Sequence, residues 1–235
     1  MPMNDLASRI DHTLLKAEAT EADVAKIVDE AIQHHFASVC INPVFVRQVA
    51  AALDGSGVKT CTVIGFPLGA NTARIKATEA TEAIERGADE IDIVAHLPYL
   101  LAADANAAYS ELQQIATAAR VARSDVIIKV IVESAALMAN VDDATADARI
   151  TAACAAIRDA GCDFIKTSTG FHPAGGATTL AVQTMAMHAD GIKIKASGGI
   201  RTREDAQNMI DAGADRLGCS AGVAIVTGGA GTAGY

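Results

Sequence analysis

The stretch Ala160-Gly161-Cys162-Asp163-Phe164-Ile165-Lys166 decides the fold, because its phrasing recurs along the chain. Arg86-Gly87-Ala88-Asp89-Glu90-Ile91-Asp92 precedes it, and Ala212-Gly213-Ala214-Asp215-Arg216-Leu217-Gly218 follows it. Each copy puts glycine where a helix should stop and begins an apolar strand at once. The repeated unit is a helix-to-strand turn, so helices and strands alternate.

Working outward, strands are predicted at Ile10–Leu14, Ser38–Ile41, Thr60–Gly65, Glu90–Val94, Val126–Val132, Phe164–Ser168, Ile192–Ser197 and Arg216–Cys219. Helical periodicity fills the gaps. Val24, Ile27, Val28, Ala31 and Ile32 line one helical face behind a capping-box start, Thr20-x-x-Asp23, and Thr202-x-x-Asp205 opens another helix in the same way. Eight strands alternating with helices over 235 residues predict an α/β fold, a (β/α)8 TIM barrel. An open doubly wound sheet is the rival, and the weakly patterned first strand decides between them. No linker composition divides the chain, so residues 1–235 are expected to form one domain. A flexible glycine-rich tail is expected from about residue 227 to 235.

Composition narrows the function. Hydrophobic residues make up 51% of the chain, aromatics only 3%, and tryptophan is absent, which suits parallel strands covered by helices. A net charge of -9 argues against a nucleic-acid partner. Five scattered cysteines without CxxC spacing predict neither a zinc site nor a disulfide framework. The first residues lack a signal-peptide pattern, and no uncharged run approaches the ~20 residues of a membrane span. A soluble, cytoplasmic protein is expected. A P-loop, a GxGxxG followed by an acidic residue and an HExxH are all missing from the sequence.

Two lysines carry the chemistry. Lys166 lies in Phe164-Ile165-Lys166-Thr167-Ser168-Thr169-Gly170, and Lys195 in Ile192-Lys193-Ile194-Lys195-Ala196-Ser197-Gly198-Gly199. One strand–helix unit separates them, so they belong on neighbouring strands at the carboxyl end, where barrels keep their active sites. A lysine in an apolar interior, next to a second ammonium, is pushed toward the free amine, which attacks carbonyls. The plainer alternative is that each pairs with a carboxylate or reaches the rim. Lys193 shares the parity of Lys195 and must sit lower or be compensated by an acid. Lys129 either lines the site or pairs with Glu133 or Asp92. Asp92, among isoleucines, is an ion-pair partner or a proton-transfer group; Asp11 and Thr13 are weaker candidates of the same type. Gly198-Gly199 and Gly218-Cys219-Ser220-Ala221-Gly222 follow the seventh and eighth strands, whose loops commonly hold a phosphate in barrels, and Thr169-Gly170 after the sixth offers one more N–H donor. Tyr235 is either incidental or the tip of an arm that reaches a site.

Together these motifs resemble the deoxyribose-phosphate aldolase family over nearly the whole chain. The resemblance runs through Asp11-His12-Thr13-Leu14-Leu15, Ser38-Val39-Cys40-Ile41-Asn42-Pro43, Val63-Ile64-Gly65-Phe66-Pro67-Leu68-Gly69, both lysine stretches and Gly218-Cys219-Ser220-Ala221-Gly222. It implies that Lys166 forms a Schiff base, Lys195 lowers its pKa, and Asp92 relays protons. Some members of the family also end in a tyrosine that assists proton transfer at the enamine carbon, which leaves both alternatives for Tyr235 open, and Gly170, Gly198, Gly199, Gly218 and Ser220 match phosphate-contacting positions. Cys40 matches a cysteine near the family's site. The implied reaction is reversible cleavage of 2-deoxy-D-ribose 5-phosphate into D-glyceraldehyde 3-phosphate and acetaldehyde. No cofactor or metal is expected. The expected partners are the phosphorylated sugar and aldehydes, with a homodimer as the assembly. Ala95-His96-Leu97-Pro98-Tyr99 departs from the family's pattern. A barrel isomerase using Asp92 as base and a non-catalytic phosphate binder are the rival functions.

Overall fold

A computed structural model describes residues 6–229. Eight parallel strands close into a barrel in the order β1-β2-β3-β4-β5-β6-β7-β8, and β1 pairs with β8. They are β1 Ile10–Leu14, β2 Ser38–Ile41, β3 Lys59–Ile64, β4 Glu90–Val94, β5 Ile127–Ile131, β6 Phe164–Lys166, β7 Lys193–Ser197 and β8 Arg216–Cys219. The rival open sheet is thereby excluded, since the weakly patterned first strand is the stave that closes the barrel. Helices connect the strands throughout, and both predicted capping boxes form, at Thr20/Asp23 and Thr202/Asp205. Gly87, Gly161 and Gly213 all take positive φ (111°, 72° and 117°), the conformation each helix-to-strand turn requires.

Strand alternation separates two layers. Ile10, Val39, Ile41, Ile64, Ile91, Ile93, Ile128, Val130, Ile165, Ile194 and Leu217 join the large apolar cluster beneath the helices. The opposite parity fills the lumen, and there a small apolar patch of Leu15, Cys40, Cys61 and Val63 adjoins charged side chains. Burying apolar side chains at ~25 cal/mol per Å² of surface holds the helices on the outside of the barrel. The lumen coheres by ion pairing instead.

Strand β6 is shorter than the sequence predicts: regular pairing stops at Lys166 rather than Ser168. Side-chain bonds take over there. Thr167 Oγ1 and Ser168 Oγ donate to the Ser197 carbonyl (3.1 and 2.5 Å), and Ser197 Oγ donates back to the Ser168 carbonyl at 2.6 Å. Local hydroxyl-to-backbone bonds of this kind compete with a sheet ladder. The predicted tail falls largely outside the described residues; a helix at Gly222–Thr227 occupies its first position.

Candidate active site

Lys166 and Lys195 are register partners on β6 and β7. The Ser168/Ser197 clasp above them fixes one strand end against the other. Both lysines donate to the same oxygen, Asp92 Oδ2, each at 2.7 Å. The expectation of two lysines in one compartment is therefore met in position, and the carboxylate between them makes the arrangement more than a like-charge pair. Asp92 is fully buried; Lys166 is 2% exposed, whereas Lys195 and Lys129 are 0%. Of these three lysines, only Lys166 keeps any accessible surface.

Below Lys166 the ion pairs close into a ring of alternating sign. Arg216 Nη1 lies 2.6 Å from Asp11 Oδ1, and Asp11 Oδ2 lies 2.5 Å from Lys195 Nζ. Lys195 reaches Asp92, whose Oδ1 accepts from Lys129 Nζ at 2.9 Å. Lys129 lies 2.6 Å from Glu90 Oε2, and Glu90 lies 3.3 Å from Arg216, which completes the circuit. Ser38 Oγ adds a 2.7 Å bond to Asp11. Lys166 hangs outside the ring, on Asp92.

Burial opposes every charge here, and the partners overcome it. Lys129, Lys166 and Lys195 hold the Asp92 carboxyl well below its usual range, against desolvation. Arg216, Lys195 and Lys129 do the same for Asp11. Against the same desolvation, Asp11 and Asp92 hold Lys195 well above the ordinary lysine value, and Asp92 and Glu90 hold Lys129 there. Lys195 is therefore a fixed cation and Asp92 a fixed anion in the resting site.

Lys129 takes the Asp92 side of its alternative and adds Glu90, which the sequence reading did not name. Glu133 points elsewhere, accepting the Thr169 N–H at 3.0 Å. Lys193 is exposed at the start of β7, with its ammonium 5.7 Å from the Phe164 ring, so it occupies the lower position. Glu90 and Arg216 were missed, although a signal existed: Glu90 has the parity of Asp92, and Arg216 that of Gly218. Thr13 Oγ1 donates to the Asp11 carbonyl at 2.8 Å and is spent within its own strand. Cys40 is buried beside Cys61 and Asp92. A hydrogen bond from Cys61 draws the Cys40 thiol below its usual value despite burial, while burial itself pushes Cys61 up.

Ligand atoms of Cys40, Cys61 and Asp92 lie within 4.8 Å of one another, as do those of Asp11, Cys61 and Glu90. The carboxylates in both groups already hold two or more cations each, so a metal ion would have to displace an ammonium or guanidinium.

Of the predicted phosphate residues, Gly170, Gly198 and Gly199 lie together at the ends of β6 and β7, with φ of 85°, 85° and 86°. The Ala177 N–H donates to the Ser197 and Gly198 carbonyls (3.0 Å each), folding the loop after β6 onto the loop after β7. A Cβ on Gly198 would meet Gly176 Cα and Ser168 Oγ at 2.9 Å, whereas Gly199 faces open space. Gly218 is the register partner of Ser197, and Ser220 follows β8. Tyr235 lies outside the described residues.

A closed barrel whose lumen gathers three buried lysines on one carboxylate sets amines beside an acid, an arrangement suited to carbonyl chemistry. A family profile described as DeoC/LacD family aldolase matches residues 6–228, and the chain belongs to that family. A Caldicellulosiruptor saccharolyticus protein named deoxyribose-phosphate aldolase is 46% identical over 227 residues, covering 97% of this chain and 99% of that one. One of the same name from Micrococcus luteus is 48% identical over 226 residues, covering 94% and 95%. Among solved structures, a tetrameric deoxyribose phosphate aldolase from Aeropyrum pernix superposes with a TM-score of 0.86 at 37% identity, covering 96% and 91%. This protein is an enzyme, an aldolase, and the isomerase alternative is not favoured. Among the described residues no helix is long and apolar enough to cross a membrane.

Proposed function

We propose that this aldolase works through a Schiff base on Lys166 and reversibly cleaves 2-deoxy-D-ribose 5-phosphate. One observation carries the reading: two lysines share one buried carboxylate oxygen, and the one with accessible surface is Lys166. The names of the relatives supply the substrate.

The chemistry follows from that geometry. Free Lys166 amine adds to the C1 aldehyde, and loss of water leaves an iminium whose positive nitrogen takes up electrons. The proton leaves the C3 hydroxyl, the C2–C3 bond breaks, and its electron pair passes to the iminium, giving an enamine and glyceraldehyde 3-phosphate. Protonation at C2 and addition of water then release acetaldehyde and regenerate the amine. Asp92, with its carboxylate against both amines, receives and returns protons through water. Lys195 supplies the fixed positive charge that opposes protonation of its neighbour. Cys40, Asp11 and Thr13 wall the lumen beneath the reacting carbon.

The backbone around Gly170, Gly198, Gly199, Gly218 and Ser220 is assigned to the phosphate. Gly198→Ala should raise KM for the phosphorylated sugar about tenfold, a loss of ~1.4 kcal/mol of binding. Its Cβ forces the two loops apart at a φ that L residues rarely adopt. Kinetics with unphosphorylated 2-deoxyribose should barely change; an equal loss on both sugars would remove the phosphate assignment.

The whole proposal is tested by borohydride reduction in the presence of acetaldehyde, followed by peptide mapping. An ethyl group on Lys166 is expected, and an unmodified Lys166 rules the Schiff base out. Tyr235 as an acid at C2, a homodimer, a cytoplasmic location and a role in deoxyribonucleoside breakdown belong to the same proposal, supported by the family resemblance. Truncation before Tyr235 should lower kcat if the tyrosine acts, and light scattering reads the assembly.

A further inference from the structure

Among the described residues, the lumen holds four cations, Lys129, Lys166, Lys195 and Arg216, against three anions, Asp11, Glu90 and Asp92. Three of each close the alternating ring, so its charges balance without Lys166. The balance depends on Arg216, which opens β8 and lies at the end of the barrel opposite the mouth. Its Nη1 touches both Asp11 and Glu90, the two acids that Lys166 does not touch. The guanidinium centre lies 5.8 Å from the Phe164 ring, which helps to hold it in place.

We propose that Arg216 is a positioning residue for the aldolase reaction: by completing the charge ring from the far end of the barrel, it makes Lys166 the surplus cation, the one released for attack. This rests on Lys166 being the nucleophile. An arginine suits the task, since its charge does not titrate and one of its nitrogens reaches both carboxylates. Burial of the ring keeps the interaction from being screened by salt. Among the described residues, the groups facing Lys166 and its carboxylate are Asp92 from β4, Lys195 from β7, Lys129 from β5, and the Cys40 and Cys61 thiols from β2 and β3. Arg216 acts on all of them through Asp11 and Glu90. Asp11 and Asp92 lie below the usual carboxylate range, with Arg216 first among the groups that overcome burial at Asp11. Both therefore count as full charges in this balance.

The test uses the intact enzyme and the pH dependence of the rate at which borohydride traps acetaldehyde. Arg216→Gln leaves the ring one anion in excess, and Lys166 must then keep its proton to balance it. The acid limb should move up by about one pH unit. Glu90→Gln leaves one cation in excess and should move the limb down by a similar amount. The double variant Arg216→Gln/Glu90→Gln restores the balance and should return the profile to that of the parent, and Arg216→Lys should never leave it. Circular dichroism monitors folding; if Arg216→Gln does not fold, the downward shift of Glu90→Gln and the recovery in the double variant still decide. Shifts of the same sign in both single variants, unmoved profiles, or a double variant that stays displaced would overturn the proposal. A parent that is not trapped at all would instead sink the underlying Schiff-base reading, so the two failures are distinguishable.

Discussion

Lys166→Met should lower kcat/KM by at least ~10⁴-fold and abolish the borohydride adduct, while leaving the melting temperature close to that of the parent. The separation of activity from stability follows from where Lys166 sits. Losing it costs Asp92 one partner, but Lys129 and Lys195 remain at 2.9 and 2.7 Å, so no charge is orphaned. The side chain keeps 2% exposure, and a methionine of similar length fills its place without a cavity. Lys166→Arg should be as inactive as the methionine variant even though it keeps the positive charge, because a guanidinium does not yield a free amine. Lys195→Met behaves differently. It removes a ring member held by both Asp11 and Asp92, so it should lose stability as well as rate. Turnover within a hundredfold of the parent in Lys166→Met, or an adduct found on Lys195 instead, would reassign the nucleophile.

The fold was legible because two local rules agreed. The glycine turn before β4, β6 and β8 marks each return from helix to strand, and the apolar parity of each strand marks the face beneath the helices. The sequence reading did not state which parity enters the lumen, yet Ile91, Ile93, Ile128, Val130 and Ile165 settle it once the helices are placed. Strand ends were less legible: in β6 the hydroxyls of Thr167 and Ser168 replace ladder bonds, an exchange that propensity does not register. Within the site, Lys166, Lys195 and Asp92 stood out as charges in apolar runs. Glu90 and Arg216 did not, since a charged residue at the first position of a strand reads as solvated. The barrel's closure, which brings Arg216 within 3.3 Å of a residue 126 positions away, turns them inward. Such contacts are set by topology, and in local spacing only the parity shared with Asp92 and Gly218 marks them.

Asp92→Ala should be the most destabilising single change in the lumen, by roughly 3–5 kcal/mol, the typical cost of removing one partner from a buried ion pair. Three ammoniums converge on that carboxylate. Without it Lys129 retains Glu90, Lys195 retains Asp11, and Lys166 has no acid left among its ion pairs. Asp92→Asn preserves shape and can still accept from a lysine, so it should lose less stability. Its kcat should nevertheless fall ~10²–10⁴-fold, because a neutral amide cannot carry the proton of the C3 hydroxyl. The pH dependence separates the two contributions. The Asp92 carboxyl is held well below its ordinary value, so its stabilisation is fully present above the unfolded pKa of about 3.9 and is lost only as pH falls through the lower folded value. The Lys129 and Lys195 ammoniums are held well above theirs, so their share is present below about 10.4 and is lost as pH rises through the folded values. Thermal melts of the parent should therefore show a stability plateau between these limits and decline in acid, and the acid decline should be shallower in Asp92→Asn. An Asp92→Ala protein that melts with the parent would mean that the three lysines find solvent or anions on their own, and the ion-pair account of the lumen would fail with it.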